Sequence, residues 1–230
     1  MNECEIRQKL VAELISTSAK SEELQEFKNI LYKNFMKFSN SEKIVPNEAE
    51  MILNLQEIEK ELELISSFPA LHTKTTIAVG GGFSAGKSGF ISSFIVTDVK
   101  LPIGVVPTTA IPSYVINNQK DIFIACNKKG GVVNLAEIDK NFHSKLSHDF
   151  IESFGFNLKE LMPFMILGTE TNYKNICFVD TPGYNPASTT GFTDEDIKTA
   201  KEFLENSDIF IWLIGADANG TLSSTDLEFL

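Results

Sequence analysis

Apolar residues in the first 70 positions recur at helical spacing. Ile6, Leu10, Leu14 and Ile15 mark one amphipathic helix. Leu24, Phe27, Ile30, Leu31, Phe35 and Phe38 mark a second. Ser21 is placed to cap it, without a full capping box, because Leu24 stands three residues on. Met51, Ile52, Leu55, Ile58, Leu62 and Ile65 stripe a third helix. There Asn47 and Glu50 have the spacing of a capping box. Such stripes pack on a neighbouring domain or on each other. The alternative is a bundle shared with segments from elsewhere.

Ser66-Ser67-Phe68-Pro69 breaks this pattern, and strands then alternate with helices. Residues 75–80 read as a β-branched strand and 88–96 as a helix. Residues 111–117 and 121–126 read as paired strands joined at Asn117-Asn118. Residues 135–154 read mainly as helix, 175–180 as strand, 193–206 as helix and 208–215 as a strongly apolar strand. Alternation of this kind predicts an α/β sheet covered on both faces, in three layers and mostly parallel. The division is therefore a helical segment over 1–70 and an α/β domain over 71–230.

Charge narrows the choice of partners. With 20 Lys+Arg against 31 Asp+Glu the net charge is −11. That argues against undirected binding to nucleic acid or anionic lipid. No apolar run approaches the roughly 20 residues of a membrane-spanning helix. The start lacks a basic region followed by an apolar stretch, so no secretory signal is expected. Cys4, Cys126 and Cys177 are too scattered for a disulfide framework. Cys126 and Cys177 read as buried thiols in a reducing cytoplasm. His72, His143 and His148 form no ligand set, Trp212 reads as core, and 127–131 reads as a basic hairpin-type turn.

Three segments carry chemistry. The strand at 75–80 runs into Gly81-Gly82-Phe83-Ser84-Ala85-Gly86-Lys87-Ser88, a G-x-x-x-x-G-K-[ST] match. Glycines let the backbone wrap phosphate with its N–H groups pointing inward. Lys87 then reaches the β- and γ-phosphates, Ser88 ligates Mg²⁺, and the next helix presents its N-terminus. Phe178-Val179 leads into Asp180-Thr181-Pro182-Gly183. An Asp at a strand end beside a phosphate loop is placed to hold Mg²⁺, and the Gly183 N–H to contact the γ-phosphate. Between them, Leu101-Pro102-Ile103-Gly104-Val105-Val106-Pro107-Thr108-Thr109-Ala110 precedes a strand. A Thr there can close over Mg²⁺ and phosphate. Thr109 is favoured over Thr108.

These motifs in this order resemble the dynamin family of large GTPases, and its bacterial members in particular. Ile211 to Gly220 before the chain's last ten residues resembles them too. The likeness covers 70–230 by motif and the first 70 residues by layout. It implies a P-loop GTPase domain that binds GTP or GDP with Mg²⁺ and hydrolyses GTP. Ser84 would help neutralise transition-state charge, and Thr109 would orient water and bind the metal. Phe83 stands where better-known dynamins have a polar residue. The resemblance also implies dimerisation or oligomerisation through GTPase domains. In a longer protein it implies membrane remodelling through regions outside this chain.

The family's Asn/Thr-Lys-x-Asp motif for guanine does not occur before Leu230. The chain thus reads as the front part of a larger protein, its sheet incomplete at the C-terminal end. Two other functions compete. One is a non-hydrolysing nucleotide-binding or interaction module that needs a partner chain. The other is a P-loop ATPase of another class, against which the Pro107-Thr108-Thr109 loop and the Asp180-Thr181-Pro182-Gly183 order argue.

Overall fold

The computed structural model describes residues 2–19, 21–42, 47–82, 85–96, 111–140, 142–145, 150–151, 153–181 and 206–214. The chain opens with α1 (Glu3–Ser16) and α2 (Glu22–Asn29). A π-helical turn, Ile30–Phe35, leads to α3 (Met36–Glu42), and α4 (Glu48–Ser67) follows. Then come β1 (Thr75–Gly81), α5 (Lys87–Ser92), β2 (Ser113–Asn117), β3 (Ile122–Cys126) and β4 (Val132–Asn134). The described elements end with α6 (Leu135–Ile138), α7 (Phe142–Lys145), β5 (Phe164–Thr169), β6 (Ile176–Asp180) and β7 (Ile209–Leu213).

The seven strands form one sheet in the order β4-β3-β5-β2-β6-β1-β7. It is a mixed sheet on an α/β plan. β1 lies parallel to both β6 and β7, and β2 parallel to β5. The β2–β6, β3–β5 and β3–β4 pairs are antiparallel. The mostly parallel arrangement read from the sequence therefore holds for β6-β1-β7, and the rest alternates.

The hairpin expected between 111–117 and 121–126 is not made. β5 lies between β2 and β3, a strand the apolar pattern did not reveal. All six of its residues are buried, so it needs a neighbour on each edge. Four residues suffice to step from β2 over to β3, because strands two apart are only about 9.6 Å distant. The step is pinned to the inserted strand: Asn118 N–H donates to the Thr169 carbonyl at 2.8 Å, and the Thr169 hydroxyl to Asp121 Oδ1 at 2.7 Å.

Two more expectations give way. The helix over 135–154 is broken, because Asp139 is extended at φ −152° and closes α6 after Ile138. At α4, Asn47 adopts the left-handed conformation at φ 56° and makes no side-chain cap. The capping box with Glu50 therefore does not form. A capping box does form at α1, where it was not anticipated. Asn2 Oδ1 accepts from Glu5 N–H, and Glu5 Oε2 accepts from Asn2 N–H, both at 2.9 Å. Ser21 caps α2 as expected, accepting from Leu24 N–H at 3.2 Å.

Cross-strand register sorts the core into two faces. On one, α1 buries Ile6, Leu10 and Leu14 against Ala125, Val133, Met165, Ile111 and the helices after β4. The same face continues as Val115, Phe178, Val79 and Leu167 packed on Ile91 of α5. On the other face Ile116, Ile124, Ile166, Phe164, Cys126 and Cys177 pack with Phe68 and Leu71. Both cysteine thiols are fully buried there, and burial pushes them up to about 12. The basic turn after β3 ties α1 down. Asn127 Nδ2 donates to the carbonyls of Leu14 at 2.6 Å and Thr17 at 2.8 Å. Its Oδ1 accepts from the N–H groups of Lys129 and Gly131. β7 is one of the two outer described strands, and Trp212 on it is half-buried rather than enclosed.

Candidate phosphate and cation site

β1 and β6 end side by side, with Val79 in register with Asp180. β1 is carried into a tight turn by two glycines with positive φ. Gly81 has φ +144°, and a Cβ there would lie 2.3 Å from the Leu213 carbonyl oxygen of β7. Only glycine lets these strands approach so closely. Gly86 has φ +90° and precedes α5. The Ala85 N–H donates to the Gly82 carbonyl at 3.2 Å, and Phe90 N–H to the Gly86 carbonyl at 2.8 Å.

Two charged side chains are enclosed at this point. Lys87 is 6% exposed, and its ammonium donates to the carbonyls of Gly81 at 3.1 Å and Gly82 at 3.0 Å. Burial lowers its pKa, and the negative charge of Asp180 opposes that shift. Asp180 is fully buried and is raised to about 6 by burial, against the hydrogen bond from Ser88 and the charge of Lys87. Ser88 Oγ donates to Asp180 Oδ2 at 2.7 Å. Asp180 Oδ1 is buried and has no hydrogen-bond partner among the described residues. A buried carboxylate oxygen without a donor is costly unless a cation or water serves it.

Seven residues singled out in the sequence are therefore brought together: Gly81, Gly82, Ala85, Gly86, Lys87, Ser88 and Asp180. Phe83, Ser84, Thr108, Thr109 and Gly183 lie outside the described residues. One member was missed. Thr181 is fully buried and donates from its hydroxyl to the Val79 carbonyl at 2.8 Å, tying the ends of β6 and β1 together. Its place next to Asp180 was the available signal.

The donor set fits a small hard cation. Ser88 Oγ and the Asp180 oxygen without a partner among the described residues would offer oxygen ligands beside the glycine-rich loop, the ligand type that Mg²⁺ takes. Among the described residues no group of three His, Cys, Asp or Glu side chains converges. A cation here would draw the rest of its shell from phosphate and water.

A P-loop at the carboxyl end of β1, with an Asp at the end of the adjacent parallel strand, defines a phosphate-binding α/β domain. The family model for the dynamin family matches residues 77–230, well over half of the chain. The chain belongs to that family, and its fold is the dynamin GTPase-like one. Similar solved structures include two chains of an oligomerised bacterial dynamin pair, described as a mechanism for long-range sensing and tethering of membranes. One is 18% identical with a TM-score of 0.44, covering 89% of this chain and 32% of that one. The other is 15% identical with a TM-score of 0.36, covering 89% of this chain and 38% of that one. The chain thus spans about a third of their length. No curated protein matches it.

Proposed function

We propose that this chain is the nucleotide-binding front of a dynamin-type GTPase, with residues 71–230 as the GTPase domain and 1–70 as its helical segment. The observation that carries the reading is the pair of buried charges, Lys87 and Asp180, with the half-buried Ser88 hydroxyl bonded to Asp180. Lys87 holds its positive charge against the loop carbonyls, ready for the β- and γ-phosphates. Ser88 and Asp180 would hold Mg²⁺, with Thr109 as the further ligand. When bound, the metal neutralises charge on the phosphate oxygens.

The remaining roles come from the family resemblance. Ser84 helps neutralise transition-state charge, Thr109 orients water, and the Gly183 N–H contacts the γ-phosphate. Gly81 to Ser88 form the cradle, with Thr108 beside Thr109. Phosphoryl transfer asks for positioning and charge stabilisation more than covalent chemistry. In the full-length protein the activity is coupled to pairing of GTPase domains. It also drives membrane remodelling from the cytoplasm. Among the described residues no helix is long and apolar enough to cross a membrane.

Fluorescent GDP in Mg²⁺, competed with unlabelled GTP and ATP, tests the reading. Displacement by GTP and not ATP is the expected result. Displacement by both would make it a phosphate site without base selection, and no binding would overturn it. Lys87→Ala should weaken GDP binding by on the order of 10²-fold with unchanged circular dichroism. A second reading, an interaction module that needs a partner chain, is favoured by the exposed apolar residues of the helical segment, such as Leu53 at 60% exposure.

A further inference from the structure

β2 and β6 run antiparallel with Ser113 directly opposite Asp180. Residues so opposed project from the same face, with Cβ atoms about 4.5–5.5 Å apart. That face is the one α5 covers. Asp180 meets Ser88 there, and Val115 and Phe178, the next opposed pair along it, pack on Ile91. Ser113 is 2% exposed and Asp180 fully buried. Among the described residues, neither Ser113 Oγ nor Asp180 Oδ1 has a hydrogen-bond partner.

Two unpaired polar atoms enclosed side by side need a shared explanation, because buried polar groups are otherwise paired. Their chemistry is complementary. A carboxylate oxygen can only accept, and a serine hydroxyl can donate. A change of the Ser113 rotamer, or one water between them, joins the two. The other oxygen of Asp180 is already engaged by Ser88, so the pair of contacts would fix the carboxylate at both ends, with the second lone pair of Oδ1 left for the cation.

We propose that Ser113 is a positioning residue for Asp180: its hydroxyl holds Oδ1 and keeps the carboxylate and Ser88 aimed at the divalent-cation position. The proposal rests on the Mg²⁺–nucleotide reading above. Partners behind a metal-binding carboxylate orient it, and their loss weakens metal affinity by about 10–100-fold. Ser113 lies 67 positions before Asp180 in the sequence and is brought opposite it only by the β2–β6 register.

The test is thermal melting of the 230-residue chain at fixed GDP, titrated with Mg²⁺. Wild type is compared with Ser113→Ala, Ser113→Thr and Ser92→Ala. Ser92 Oγ on α5 is also buried and, among the described residues, without a partner, but Ser92 is not opposed to Asp180. It controls for the loss of a buried hydroxyl. Without ligand, Ser113→Ala should melt within about 2 °C of wild type. With GDP, its half-maximal Mg²⁺ concentration should rise about tenfold. Ser113→Thr should restore the wild-type value, and Ser92→Ala should leave it unchanged. Equal Mg²⁺ responses in wild type and Ser113→Ala would overturn the proposal, as would an equal shift in Ser92→Ala. A wild type that responds to neither GDP nor Mg²⁺ would remove the nucleotide reading itself, and this proposal with it.

Discussion

At the end of β6 and β1, a lysine and an aspartate are enclosed while apolar side chains close around them. Val79 and Ile91 there are fully buried, and Phe178 is 4% exposed. The α2–α4 hairpin is built the other way round. Ile30, Phe38, Leu53 and Ile58 face solvent, and the buried side chain described on α4 is Glu63, held by Lys28 at 2.6 Å. Glu59 joins the same lysine at 3.3 Å. The first region spends stability on buried charge, which fits a site prepared for a charged ligand. In the second the charge pair is part-solvated and contributes little. Apart from Leu24 and Leu31, which are buried, its apolar side chains contribute little either, because many of them are exposed. The firm helix of the N-terminal segment is α1, which belongs to the sheet's own core.

The comparison breaks most visibly at α1. Leu10→Ala should cost about 3–4 kcal/mol, since Leu10 is fully buried among Ile111, Ala125 and Met165. Urea unfolding reads this directly, and a cost below about 1 kcal/mol would mean that α1 is not part of the core.

The next largest effect has the opposite sign. Asp180 is raised from 3.8 to about 6 in the fold. Between those values the folded chain holds a proton that the unfolded chain has released. The associated stability is fully present below about pH 4 and is lost as the pH rises through 6. Asp180→Asn should therefore melt higher than wild type above pH 6, by the equivalent of about 2–3 kcal/mol. The two melting curves should converge near pH 4. A variant less stable than wild type at pH 7.5 would contradict this.

The smallest effect sharpens the contrast. Leu53→Ala, at a 60% exposed position of α4, should change stability by less than about 0.5 kcal/mol in the same urea experiment. A larger loss would show that the outer face of the hairpin is covered in solution.

What the sequence disclosed follows from the range over which each feature is determined. The phosphate loop, β1, β6 and β7 were legible because glycine placement and β-branched runs act within a few residues. Ile6, Leu10 and Leu14 were legible as a face from their spacing alone. β5 was not, because a short apolar run after Pro163 fits a buried strand or a buried helix equally. Its slot between β2 and β3 is decided by partners about 40–50 residues away. Asn47 carried a capping signature, but it turned left-handed, which asparagine tolerates. That Ser113 stands opposite Asp180 could not be seen before the strand register was known.

The insertion of β5 also sets an order of events for the emerging polypeptide. β2 and β3 leave the ribosome one after the other, well before Phe164–Thr169 is synthesised. Only four residues separate them, so a hairpin between them is the nearest competing pairing, one that the finished protein does not contain. Any such pairing would have to open before β5 could enter. Closure over so long a loop is slow compared with zipping of a hairpin. The apolar edges of both strands stay exposed in the interval, which makes this stretch the place where self-association competes with folding.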